Sequence, residues 1–399
     1  MDLYEKYELT RIINGCGKMT HLAGAAVITP VVQQVSEAMP CFFDLDELQE
    51  RAGKVIAEAT GAEAGCVTAS SAAGLTLSVA AAMTGPDLGR IGQLPESTGM
   101  PDKVVLQKGH AVNFGAPITQ MIRLAGARVV EIGSINGSSD YHLQHALSHG
   151  DNQAVAAVVF VVSHHTVRYG CTPLRQTVEI AHAHDVPVIV DGAAQSFNIR
   201  RILEAGVDLA ICSGHKYLCG TTAGIVCGRE DLVRAVNLQS RGIGRPMKVG
   251  KEGIFGVMAA LEHRMSMDVT AWQAEQDRKM HRIIKCLQDL EGVTMGADPD
   301  PNGNPFSRAR IDVDADRAGI SAAVLSAAVA VGDPSIRLRA HHADEGYVNV
   351  DAIEMSDEEV ELTCERLREV LTASAAEKGA LEEKFGDRRA EMARLDGLR

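Results

Sequence analysis

VIVDGAAQ (188–195) and, further on, LAICSGHKYLCGTTAGIVCG (209–228) form the stretch on which the fold turns. Each begins as a short, β-branched apolar run and ends in small and polar residues, the pattern of a buried strand entering a loop. Asp191 ends the first strand. Lys216 follows the second, with Ser213 and His215 just before it. In open α/β sheets ligands collect at the carboxyl ends of strands, so the acid and the amine are expected at one place.

The same pattern extends in both directions. Apolar runs recur at 65–69, 103–107, 128–132, 154–162, 187–191, 209–213 and 224–228, with helical stretches such as 71–84 and 174–184 between them. Alternation of this kind predicts an α/β fold with a mainly parallel, seven-stranded sheet flanked by helices. The pattern changes from about Val257. One long helix is expected over 257–290, then short strands at 308–313, 336–341 and 347–351, and a helix over 357–371. The expected division is an N-terminal segment (1–45), a large α/β domain (46–250), a smaller C-terminal α+β domain (251–375) and a charged helical tail (376–399). Asp44, Asp46 and Glu47 read as a helix start rather than as catalytic acids.

The 399 residues are 46% hydrophobic, enough for a sizeable core, and carry a formal net charge of −13. No apolar run reaches the roughly 18–20 residues that a membrane span needs. The first residues, MDLYEKYELT, are acidic where an export signal would be basic and then apolar, so a soluble, unexported, cytoplasmic chain is expected. The acidic balance offers no broad nucleic-acid footprint. Nine Cys, an odd number with no CxxC pair, point to reduced thiols rather than a disulfide frame or a zinc site. The adjacent pair His164 and His165 lacks evident carboxylate companions, and no metal is expected.

An acid and a Lys at neighbouring strand ends suit pyridoxal 5'-phosphate. The Lys amine can form a Schiff base with the cofactor, and the acid can keep the pyridine nitrogen protonated. Ser213, three residues before Lys216, is placed for a phosphate oxygen. In VTASSAAG (67–74) a strand ends and Ser70, Ser71 and Ala72 open a helix. Small residues there let backbone N–H groups approach an anion.

These segments, with INGCGKMTHLAG (13–24), FFDLDELQERAG (42–53), VSHHTVRYG (162–170), GIGRPMKVGKEG (242–253) and AHHADEGYVNVD (340–351), resemble the fold-type I pyridoxal-phosphate enzymes over most of the chain. The resemblance is to the selenocysteine synthase-like branch, which includes the D-glucosaminate-6-phosphate ammonia-lyases. It implies an aminotransferase-like fold and a homodimer or higher homo-oligomer with sites at the subunit interface. It also implies that His110 lies on the cofactor face and that His164 or His165, with a slight preference for His165, donates to the phenolic oxygen. His215 joins the cofactor set, and Gln195 is a further donor, one residue farther from the acid than in related Cys desulfurases. A C-terminal Arg, Arg337 or Arg339, would take the substrate carboxylate. Arg245 and Lys248, with Lys251 nearby, are cations suited to a distal anion.

The expected function is that of a lyase on a small anionic amino acid. A 2-amino-2-deoxy sugar acid, possibly 6-phosphorylated, loses its β-hydroxyl as water and its amino group as ammonia, giving a 2-keto-3-deoxy acid. An aminotransferase, a racemase or another lyase would share the early chemistry, and nothing in the residues distinguishes them. A tRNA-dependent selenium transferase is disfavoured by the acidic charge and by the dozen residues before INGCGK. A non-catalytic cofactor-binding protein is disfavoured by the intact Asp191 and Lys216.

Overall fold

The computed structural model describes residues 2–148, 154–167 and 169–386. Twelve strands run through these residues: β1 (Ile12–Gly15), β2 (Ala64–Thr68), β3 (Lys103–Gln107), β4 (Arg128–Ile132), β5 (Val155–Val161), β6 (Val188–Asp191), β7 (Leu209–Ser213), β8 (Gly224–Gly228), β9 (Val293–Pro299), β10 (Ser307–Val313), β11 (Ser335–Leu338) and β12 (Tyr347–Val350). They fall into two compact units. One spans Ala26–Met267; the other joins the residues up to Ala25 with those from Asp268 onward.

The larger unit holds a seven-stranded sheet in the order β2-β8-β7-β6-β5-β3-β4. Every neighbouring pair is parallel except the two that β8 makes, with β2 and with β7. β8 therefore begins at the end of the sheet where the others finish. Apart from the edge strand β4, which is partly exposed, the strands are largely buried on both faces, and alternate residues feed two apolar layers. Val188 and Val190 pack on one side with Ile56, Val178 and Val257, while Ile189 and Ile211 pack on the other with Leu75, Val79 and Ile122. This is why their sequences read as continuous apolar runs. Leu45–Thr60 covers one face, with Asp44 as its N-cap accepting from Asp46 N and Glu47 N. Ser71–Thr84 covers the other.

The smaller unit contains the antiparallel sheet β12-β10-β9 and a two-stranded parallel pair, β1 with β11. Helices Val269–Leu287, Ala322–Ala330 and Asp357–Thr372 enclose one apolar core with them. Arg308 lies in this unit, only 2% exposed, between Asp300 (2.8 Å) and Asp351 (3.0 Å).

Two expectations are corrected. The single helix over 257–290 is two helices, Lys251–Ser266 and Val269–Leu287, because Asp268 leaves helical geometry and caps the second by accepting from Ala271 N. The division between units accordingly follows Met267 rather than residue 250, and the first 25 residues belong with the C-terminal part through the β1–β11 pairing. The expected tail begins as the helix Ala375–Phe385, and residues 387–399 lie outside the described residues. Among the described residues no helix is long and apolar enough to cross a membrane. All nine cysteines are free.

Candidate active site

The sheet register gathers the site. Ser213 pairs with Gly224 across β7 and β8, and Gly224 pairs with Thr68 across β8 and β2. Asp191 pairs with Ile211 on one side and Val161 on the other. One end of the sheet thus carries Ser70, Ser213, Lys216 and Asp191, with His110 after β3 and the His164–His165 turn after β5.

Ser70 caps the helix Ser71–Thr84, its hydroxyl accepting from Ala73 N at 3.1 Å. The first amides of a helix have no intrahelical acceptor, so those of Ser71 and Ala72 remain available to an anion. Gly224 makes the approach possible: a Cβ there would lie 2.3 Å from the Ser70 carbonyl oxygen. Beside this cup, Ser213 Oγ and His215 Nδ1 are 2.9 Å apart. Burial first, and the Lys216 charge second, hold the His215 pKa below its usual value.

Asp191 accepts from Ala193 N at 3.2 Å. Burial pushes its carboxyl above the ordinary range, against the opposing pull of Lys216 and that N–H. Lys216 is shifted down, again by burial first, with Asp191 opposing. Each is a buried charge that the other only partly compensates. A cationic ring nitrogen beside Asp191 would favour the carboxylate, and a depressed pKa leaves more of the Lys216 amine unprotonated, the form that attacks a carbonyl or accepts a proton.

His110 is 3% exposed and meets Phe160 edge-on, with centroids 4.4 Å apart at 84°. Its Nδ1 accepts from Val161 N at 3.3 Å. That bond places the proton on Nε2, and burial lowers the pKa to about 4, so the ring is a neutral Nε2–H donor. The His164 and His165 rings are tilted 39° to each other with centroids 3.8 Å apart. His165 is exposed and His164 is partly buried in the turn after β5. Gln195 is 1% exposed; its Oε1 accepts from Asn198 Nδ2 at 3.0 Å, while its Nε2 has no hydrogen-bond partner among the described residues. Ser196 Oγ is likewise buried and unpartnered.

The residues fit pyridoxal phosphate: a helix N-terminus for the phosphate, a buried acid for the ring nitrogen, a depressed Lys amine and orphaned buried donors on the loop after Asp191. Among the described residues no group of three or more His, Cys, Asp or Glu side chains could hold a metal ion.

The candidate substrate cations are dispersed. Arg245 and Lys248 are exposed on a short 3-10 turn and the residue after it, and neither side chain forms an ion pair or hydrogen bond among the described residues. Lys251 donates to the carbonyl oxygens of Met39 (2.5 Å) and Cys41 (2.6 Å). Arg337 lies on β11 in the other unit with Nε buried and unpartnered, and Arg339 follows that strand, bridged to Asn349. Sequence reasoning missed Arg264. It sits inside what read as one uninterrupted amphipathic helix, where a cation looks solvent-facing.

The chain is similar over most of its length to known proteins. The family model for aminotransferase class-V matches residues 98–331. D-glucosaminate-6-phosphate ammonia lyase of Salmonella typhimurium (strain 14028s / SGSC 2262) is 34% identical over 94% of this chain and 99% of its own length. The 5'-C-glycyluridine monooxygenase-decarboxylase of a Streptomyces species is 36% identical over 92% of each. A solved structure of D-glucosaminate-6-phosphate ammonia-lyase superposes with a TM-score of 0.83 over 93% of this chain and 98% of that one. With more than half of its length matched by the family model, and a relative 34% identical over nearly its whole length, the chain belongs to the aminotransferase class-V family of pyridoxal-phosphate enzymes.

Proposed function

We propose that this protein is an ammonia-lyase acting on a 2-amino-2-deoxy sugar acid, with the 6-phosphorylated acid as the first substrate to try. The observation that carries the reading is the similarity to the ammonia lyase over nearly the whole of both chains. When bound, pyridoxal phosphate supplies an electron sink that acidifies the substrate Cα–H. Lys216, its pKa depressed by burial, is the base that takes this proton. Asp191 holds a proton on the ring nitrogen. The amides of Ser71 and Ala72, with Ser70, Ser213 and His215, hold the phosphate. His110 covers the ring and offers Nε2–H, and His164, with His165 as the alternative, donates to the phenolic oxygen. Loss of the β-hydroxyl expels one water. Hydrolysis of the resulting enamine consumes one and releases ammonia, leaving a 2-keto-3-deoxy acid.

Arg245 and Lys248 are the proposed partners of the distal anion, supported by their exposure and their freedom from ion pairs among the described residues. Arg337 is preferred over Arg339 for the substrate carboxylate, because its buried Nε is unsatisfied. Residence in the cytoplasm, supported by nine free cysteines, belongs to the same reading.

Incubation with D-glucosaminate 6-phosphate should release ammonia and keto acid in equal amounts without an amino acceptor. Transamination would need an acceptor, and racemisation would release neither product. A second reading, oxygen-dependent decarboxylation of a glycyl nucleoside, is favoured by the 36% identity to the Streptomyces enzyme. Oxygen uptake with carbon dioxide release, in place of ammonia and keto acid, would select it. Arg245→Ala should mainly raise KM for the phosphorylated substrate, by roughly ten- to two-hundred-fold for a lost charged hydrogen bond. An uncharged analogue should be turned over nearly as before.

A further inference from the structure

The loop carrying Lys216 rests on one face of the helix Lys251–Ser266. Gly256, Ala260 and Arg264 are spaced four apart and so form a stripe along that face. A Cβ on Gly256 would lie 2.0 Å from Thr221 Oγ1, and one on Gly220 would lie 3.0 Å from the Gly256 carbonyl oxygen and 3.1 Å from the Ala260 Cβ. Small residues therefore bring the backbones into contact along the first part of the stripe. At its end Arg264 reaches back. Its Nη2 donates to the carbonyl oxygen of Tyr217, the residue after Lys216. Its guanidinium carbon sits 3.8 Å from the ring centre of Phe197, on the loop that leaves Asp191. One side chain thus touches both the loop of the amine and the loop of the acid.

The chemistry of this contact is unusual. Arg264 forms no ion pair among the described residues, and its Nη1 is buried without a hydrogen-bond partner. Burial lowers its pKa to about 10, against a smaller opposing pull from Cys219 and Cys212. A buried guanidinium without a carboxylate is costly, and an apolar side chain of similar length would fill the space without that cost. What it adds is a charge-assisted donor on the Tyr217 carbonyl. That carbonyl lies inside a tight turn in which Cys219 adopts a left-handed φ of 57° and its N–H donates to the Lys216 carbonyl at 3.0 Å.

We propose that Arg264 is a positioning residue that fixes the Lys216 turn against the Asp191 loop and so sets how the Lys216 amine is presented to the cofactor. This rests on the reading of Lys216 as the attachment point.

The test compares Arg264→Met with wild type in three measurements on the full-length protein: thermal unfolding, the rate at which the holoenzyme releases cofactor, and acetic anhydride labelling of Lys216 against other lysines after cofactor removal. The expected result is a melting temperature at or above wild type, cofactor release faster by about ten-fold, and Lys216 labelling altered at least about three-fold while Lys54 and Lys279 label as before. Arg264→Lys, which keeps a charged donor, should bring labelling back to within about two-fold of wild type. Wild-type labelling and release in Arg264→Met would overturn the proposal, as would labelling changes shared by all lysines. If Arg264→Met does not fold, Arg264→Gln is read the same way. A change confined to Lys216 sustains the proposal, and a general one overturns it. Borohydride reduction of the wild-type holoenzyme decides separately whether Lys216 carries the cofactor, so the two ideas fail independently.

Discussion

At the residue scale, Lys216 and Asp191 were legible in the sequence because each stands at the end of a strongly apolar run, and strand ends are where α/β sheets do chemistry. Borohydride treatment should fix the cofactor on Lys216, and Lys216→Ala should abolish the adduct in a peptide map. Asp191→Asn keeps the shape and removes the charge, and we expect it to lower kcat/KM by at least about 3 kcal/mol of transition-state stabilisation. Near-normal turnover would remove Asp191 from its role. His110 makes a prediction about stability. Its pKa falls from 6.5 to about 4 on folding, so the unfolded chain binds the extra proton first. The associated stability is present above pH 6.5 and drains away as pH falls toward 4. In urea titrations of the cofactor-free protein, wild type should lose about 2 kcal/mol more than His110→Phe between pH 7 and pH 5. Arg264 was not legible. Its importance comes from a carbonyl and a ring brought to it from two other loops, and nothing near it in sequence records them.

At the element scale, the central strands were readable almost to the residue, since 103–107, 209–213 and 224–228 coincide with β3, β7 and β8. Strands buried on both faces must be apolar throughout, and that leaves a strong local trace. β1 and β9 left none. β1 has four residues and acquires meaning only by pairing with β11, where Ile12 faces Ser335. β9 reads VTMGADP, and an interior Gly with mixed polarity hides a strand that is only partly buried. The phosphate cup gives a test of element packing. Gly224→Ala would force a methyl into the Ser70 carbonyl and part β8 from the start of the helix Ser71–Thr84. We expect a loss of roughly 1–3 kcal/mol in unfolding free energy, read by denaturant titration, together with weaker cofactor retention. An unchanged midpoint and unchanged retention would show that the cup tolerates the methyl.

At the scale of the whole molecule, the larger unit exposes Val32, Met39, Phe42, Phe43 and Leu45 along the helix Thr29–Ala38 and the turn after it. Clustered apolar side chains of this size are usually covered. We expect a homodimer or larger homo-oligomer, with the segment 13–24 and the loop 242–253 crossing its interface. Sedimentation showing an active monomer at assay concentration would count against it. The composition of the smaller unit also bears on how the chain comes off the ribosome. Residues 26–267 are continuous and can collapse as soon as they emerge. The opening stretch cannot, because the strand that Ile12–Gly15 must join is synthesised more than three hundred residues later. During translation the first segment therefore waits as an unpaired guest beside an already folded body, so synonymous changes that slow elongation before residue 335 should lengthen its exposure to proteases and chaperones.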